Sequence, residues 1–128
     1  MKIEHIAIWA KDLEKMKAFY VNTFGMTSNE LYHNTTKNFK SYFLSSQSGG
    51  PRIELMTRPD IQDSRANSEI YGIAHLAFSV GSKEKVDEMT EKLRNSGHEI
   101  LGEPRTTGDG YYESVIADPE GNKIELTI

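Results

Sequence analysis

The chain has no cysteine. Disulfides, thiolate metal sites and a cysteine nucleophile are therefore excluded, and a reducing cytoplasm is the expected location. It also has no apolar run near the roughly 20 residues a helix needs to cross a bilayer. Its opening, Met1-Lys2-Ile3-Glu4-His5, is charged where a signal peptide would place an apolar core. No basic stripe stands out and the net charge is −4, so neither nucleic acid nor membrane is an expected partner. What is present is an ordinary globular composition, 37% hydrophobic and 27% charged over 128 residues. That suits one compact domain, or two small modules sharing a core.

Self-similarity decides between these. Ile3-Glu4-His5-Ile6-Ala7-Ile8 resembles Ile73-Ala74-His75-Leu76-Ala77-Phe78, 70 positions later. Ile53-Glu54-Leu55-Met56 resembles Ile124-Glu125-Leu126-Thr127, 71 positions later. Two separate matches at nearly one offset indicate a duplicated unit. We read a single domain made of a module at 1–58, a polar linker at 59–70 opening on Pro59, and a module at 71–128. Each module opens on a histidine strand and closes on a glutamate strand.

Between those strands each module carries a helix. Leu13, Met16, Tyr20 and Phe24 recur at helical spacing, with Asp12 placed to cap the start and Gly25 to end it. Val86, Met89 and Leu93 form the second stripe, with Ser82 as cap and Gly97 as terminator. Strand signals follow. Residues 41–44 and 52–56 flank the turn Gln47-Ser48-Gly49-Gly50-Pro51. Residues 111–116 and 123–126 flank Asp118-Pro119-Glu120-Gly121-Asn122. Each module thus reads as strand, helix and about three strands, an α+β class. Gly108-Asp109-Gly110 reads as a hairpin turn.

Strand side chains alternate between faces. Ile6, Ile8 and Ala10 share one face, and His5, Ala7 and Trp9 the other. Leu76 and Phe78 oppose His75, Ala77 and Ser79. In the closing strands Ile53 and Leu55 point to the core and Glu54 away from it. Ile124, Leu126 and Ile128 point to the core and Glu125 away. The small Ala7 and Ala77 leave room beside each imidazole. If the sheets curve, two histidines and two glutamates can meet in one trough. The remaining histidines, His33 and His98, lack such context and read as surface residues. Trp9 either lines a pocket or packs; Arg58, Arg105, Tyr111 and Tyr112 could meet an anionic or aromatic substrate.

These residues resemble the vicinal oxygen chelate superfamily of glyoxalase I, extradiol dioxygenases and fosfomycin-resistance enzymes. The resemblance rests on the His5 strand with Asp12-Leu13, Phe19-Tyr20 and Phe24-Gly25-Met26. It continues through Gly72 to Phe78, Asp118 to Asn122, and Ile124-Glu125-Leu126. It implies two βαβββ modules forming an open barrel-like trough. Glyoxalase I-like proteins use two histidines and two glutamates, whereas the three-ligand relatives lack the glutamate that ends the first module. Here that position holds Glu54. The resemblance therefore implies a divalent metal on His5, Glu54, His75 and Glu125, with zinc or nickel foremost and cobalt, manganese or iron compatible with an N/O donor set.

By the same resemblance the activity is a glyoxalase I-type lyase or isomerase acting on a hemithioacetal or related small carbonyl compound. Glu125 is the expected base, and Glu54 a ligand and proton relay. Glutathione-dependent enzymes tend to carry arginine four residues after the first histidine; Trp9 stands there, which disfavours glutathione. The alternatives are a metal-dependent dioxygenase, which Glu54 opposes, and a drug- or metabolite-sequestering protein of the same fold, which all four ligands oppose. A homodimer is the expected assembly.

Overall fold

The computed structural model describes residues 1–62, 72–108 and 110–128. The chain is an α+β protein, with two mixed sheets and two helices among the described residues. It divides into two compact units, Met1–Arg65 and Ala66–Ile128. The segment read as linker falls largely on residues 63–71, outside the described residues.

In the first unit β1 (His5–Trp9) leads to α1 (Leu13–Phe24), then β2 (Thr27–Ser28), β3 (Tyr32–Asn34), β4 (Phe39–Ser45) and β5 (Arg52–Thr57). β1 pairs in parallel with β5, and β5 pairs antiparallel with β4. The helix begins where expected: the Asp12 carboxylate accepts from the Lys15 amide at 3.0 Å, satisfying an otherwise orphaned donor. It ends at Gly25 with φ 63°, a left-handed conformation that a side chain would strain. Leu13, Met16, Phe19 and Tyr20 are buried against Tyr42, Leu44, Ile53 and Leu55 of the sheet's inner face.

The expected third strand of this module is split. β2 and β3 both lie along β4, at its two ends. Between them Asn29 takes over the edge pairing. Its side-chain oxygen accepts from the Phe43 amide at 2.7 Å, and its own amide donates to the Phe43 carbonyl at 3.1 Å. An asparagine side chain that mimics a backbone partner interrupts the strand there.

The second unit runs β6 (Leu76–Ser79), α2 (Lys83–Asn95), β7 (Ile100–Thr106), β8 (Tyr112–Ala117) and β9 (Lys123–Thr127), in sheet order β6-β9-β8-β7. Ser82 caps α2 by accepting from the Lys85 amide at 3.2 Å. At the other end the Gly97 amide donates to Arg94 O and the His98 amide to Leu93 O, each at 3.0 Å. This is a Schellman closure, and it depends on Gly97 at φ 82°. The Asp118 turn is built by its first residue: buried Asp118 accepts from the amides of Glu120 and Asn122, both at 2.9 Å. The hairpin between β7 and β8 is closed by Thr107 N donating to Tyr111 O at 2.8 Å; Asp109 at its tip lies outside the described residues. One expectation is corrected. Ile128 is not a core residue: β9 ends at Thr127 and Ile128 is 48% exposed, beyond the last pairing that could hold it inward.

Candidate metal centre

In both units the sequence alternation becomes a face. Across β1 and β9 every second residue is more buried than its neighbours, and His5, Glu54 and Glu125 all stand on the less buried side. The pairing register then decides what meets. Glu54 lies opposite Ala7 on one side and Phe43 on the other. His5 sits two residues before Ala7 on the same face, so it is a diagonal neighbour of Glu54. The second unit repeats this stagger, with Glu125 between Ala77 and Val115 and His75 two residues before Ala77. His5 Nε2 stands 3.7 Å from Glu54 Oε2, and His75 Nε2 stands 3.4 Å from Glu125 Oε2. The intervening position is an exposed alanine in both units, Ala7 and Ala77.

Each unit therefore presents one imidazole nitrogen and one carboxylate oxygen side by side. Two ligands bound to one ion at about 2.0–2.2 Å stand about 2.9–3.5 Å apart in tetrahedral or octahedral shells. The second pair already has that spacing, and the first is slightly wider. A neutral imidazole with a carboxylate, and no sulfur, is the donor set of a borderline or hard divalent ion. Within neither unit do three such side chains gather as a formed cluster among the described residues; the sequence-derived residues come together two by two.

Among the described residues, the first pair has a charged neighbourhood of its own. His5 Nδ1 is hydrogen bonded to Glu4, which also forms an ion pair with Arg52; Arg52 Nε donates to Glu4 Oε1 at 2.8 Å. The hydrogen bond from His5, with Arg52 assisting, holds the Glu4 carboxyl below the usual glutamate range. The Arg52 guanidinium lies 4.1 Å over the Phe43 ring, whose plane meets the His5 ring edge-on at 5.4 Å. Strand alternation hides Glu4, since adjacent residues of a strand face opposite ways; β1 starts only at His5.

The other residues singled out for substrate contact are mostly engaged. Arg58 pairs with Asp60 and lies 5.5 Å over Trp9, which is edge-on to Phe39 at 6.3 Å. Arg105 reaches Glu113 at 3.4 Å. Tyr112 donates to Asp87 at 2.6 Å, which pushes its phenol above the ordinary value. Tyr111 is 57% exposed. His33 is exposed and within 3.4 Å of Asn38.

A family model described as Glyoxalase/Bleomycin resistance protein/Dioxygenase superfamily matches residues 2–126. The uncharacterized protein YwkD of Bacillus subtilis is 41% identical, over 97% of this chain and 94% of its own length. The crystal structure of a glyoxalase family protein from Enterococcus faecalis superposes with a TM-score of 0.80 at 27% identity, covering 99% of this chain and 97% of that one. The trypanothione-dependent glyoxalase I of Leishmania major shares the fold, with a TM-score of 0.77 at 21% identity over 99% of this chain and 86% of its own.

Proposed function

Because the chain belongs to the glyoxalase/bleomycin resistance protein/dioxygenase superfamily, we propose that it is a metal-dependent lyase or isomerase of the glyoxalase I type. His5, Glu54, His75 and Glu125 are its proposed ligands, and zinc or nickel the proposed metal. The observation that carries this reading is the repeated pairing of Nε2 with Oε2, at 3.7 Å and 3.4 Å, from the same register position in both units. A glutamate closing the first module is the feature that favours four ligands over three. The bound metal would act as a Lewis acid on substrate oxygens as they gain negative charge.

The residues of the chain carry the proton. The substrate is a hemithioacetal of a small α-ketoaldehyde. Glu125 takes the proton from the carbon that bears sulfur and hydroxyl, giving an ene-diolate. The proton returns to the neighbouring carbon, the hydroxyl proton passes from the oxygen on the sulfur-bearing carbon to the neighbouring oxygen, and the product is a 2-hydroxy thioester, an isomer of the substrate. Glu125, 17% exposed at its side chain, is shielded enough to act as base while remaining reachable from the open face. Glu54 is the second carboxylate and relay. A homodimer is proposed on the family resemblance.

Purified protein exposed to zinc or nickel and then dialysed is expected to retain the ion. With methylglyoxal and a series of small thiols, it is expected to generate thioester absorbance. Glu125→Gln is expected to abolish nearly all turnover while keeping much of the metal. A wild-type chain that takes up no divalent ion, or a Glu125→Gln variant of undiminished rate, overturns the reading.

A further inference from the structure

We propose that Glu4, tethered by Arg52, is a positioning residue that holds His5 as its Nδ1–H tautomer, so that Nε2 is the nitrogen left to bind metal. The inference rests on the metal reading above and extends it to two residues outside the ligand set. A neutral imidazole carries one proton, and the hydrogen bond made by one ring nitrogen settles where it sits. The Glu4 carboxylate, ion-paired with Arg52, presents acceptor oxygens to His5 Nδ1. His5 Nδ1 must therefore donate, and Nε2, 3.7 Å from Glu54 Oε2, keeps its lone pair.

Three contacts fix the acceptor itself. The Glu4 carbonyl accepts from the Arg52 amide at 2.9 Å, which joins the residue to the edge of β5. Its carboxylate takes the Arg52 side chain, and that guanidinium is held over Phe43, the ring that also meets His5. Glu4, Arg52, Phe43 and His5 thus form a closed circuit around one imidazole. Surface ion pairs of this exposure add little stability, so the circuit has scant effect on folding. Carboxylates hydrogen bonded to metal-binding histidines set tautomer, orientation and basicity. In the second unit Ala74, Lys123 and Val115 take the places of Glu4, Arg52 and Phe43. Those three residues at the matching positions cannot compose the same circuit around His75.

The test uses the full chain and two readouts. In the metal-free protein near pH 8, nitrogen-15 NMR of the histidine rings should show His5 protonated at Nδ1. Glu4→Ala should shift the proton toward Nε2, and Glu4→Gln, which retains an acceptor oxygen, should restore the original pattern. Titration with zinc or nickel alone should give a Kd about 10- to 100-fold weaker in Glu4→Ala than in wild type, with a melting temperature within about 2 °C. An unchanged tautomer or an unchanged Kd in Glu4→Ala overturns the inference. Wild-type protein that binds neither ion overturns the metal centre instead, while the NMR measurement on metal-free protein still judges Glu4.

Discussion

Replacing Glu54 by glutamine separates the stability of the empty site from its capacity for metal. With Glu4 holding the His5 proton on Nδ1, Nε2 and Glu54 Oε2 face each other as two acceptors 3.7 Å apart. The neutral imidazole that a metal requires has no second proton to reconcile them. A glutamine amide that closes this 3.7 Å gap by a few tenths of an ångström, to about 3.2 Å, can donate to Nε2. A hydrogen bond of this kind contributes about 0.5–1.5 kcal/mol. His5 is 38% exposed at its side chain and Glu54 15%, so water competes and the lower part of that range applies, about 0.5–1 kcal/mol. Unfolding entropy of about 2.1 cal/mol/K per residue, over 128 residues, converts this to a rise of about 2–4 °C. The metal-free variant should therefore melt above wild type. At a free metal concentration about 100-fold over Kd, wild type should gain about 2.7 kcal/mol, or about 10 °C. Glu54→Gln, short of one anionic ligand, should gain far less, so the order reverses. Differential scanning fluorimetry with chelator and then with nickel reads both arms. A metal-free variant no more stable than wild type, or one that metal stabilises as much, refutes the reasoning.

Two further expectations concern how each helix is fastened to its sheet. Thr90 donates to Val86 O at 2.7 Å and shares a 2.7 Å hydrogen bond with Ser114, both hydroxyls being buried. Thr90→Val strands the Ser114 hydroxyl and should cost about 1–3 kcal/mol, whereas Ser114→Ala leaves Thr90 bonded to Val86 and should cost about 1 kcal/mol; urea midpoints in the opposite order would contradict this. Tyr42 donates to Glu14 at 2.6 Å, and the Lys17 ammonium first and Tyr42 second hold that carboxyl below its ordinary value of 4.5. A depressed pKa contributes stability above the unfolded value and loses it as pH falls through the folded one. Tyr42→Phe should therefore cost about 0.5–1 kcal/mol near neutral pH, Glu14 being largely exposed, with the difference shrinking as pH falls below 4.5 in parallel urea titrations.

Much of the candidate site could be read from periodicity, for a physical reason. A strand buried on one side must alternate, so Ile6, Ile8, Ile53 and Leu55 on one face compel His5, Ala7 and Glu54 onto the other. The helix ends were equally legible, because Asp12, Ser82, Gly25 and Gly97 act through local backbone chemistry that needs no distant partner. Where a side chain from elsewhere intervenes, local reading fails. Asn29 breaks an edge strand by bonding to Phe43, and Ile128 turns out to solvent because no pairing continues past Thr127.

The amino-acid order alone determined that the chain is duplicated, which strand residues within β1, β5 and β9 face a core, and that each half carries one imidazole and one carboxylate on the face away from it. It could not determine that β1 runs parallel to β5 and β6 to β9, nor the two-residue stagger that sets each histidine diagonally against its glutamate. Register between strands about fifty residues apart is fixed by long-range packing, and slipping it by one would send every side chain to the wrong face. Glu4 follows the same rule: its neighbour in sequence is His5, but Arg52, brought alongside by the fold, is what holds it in place.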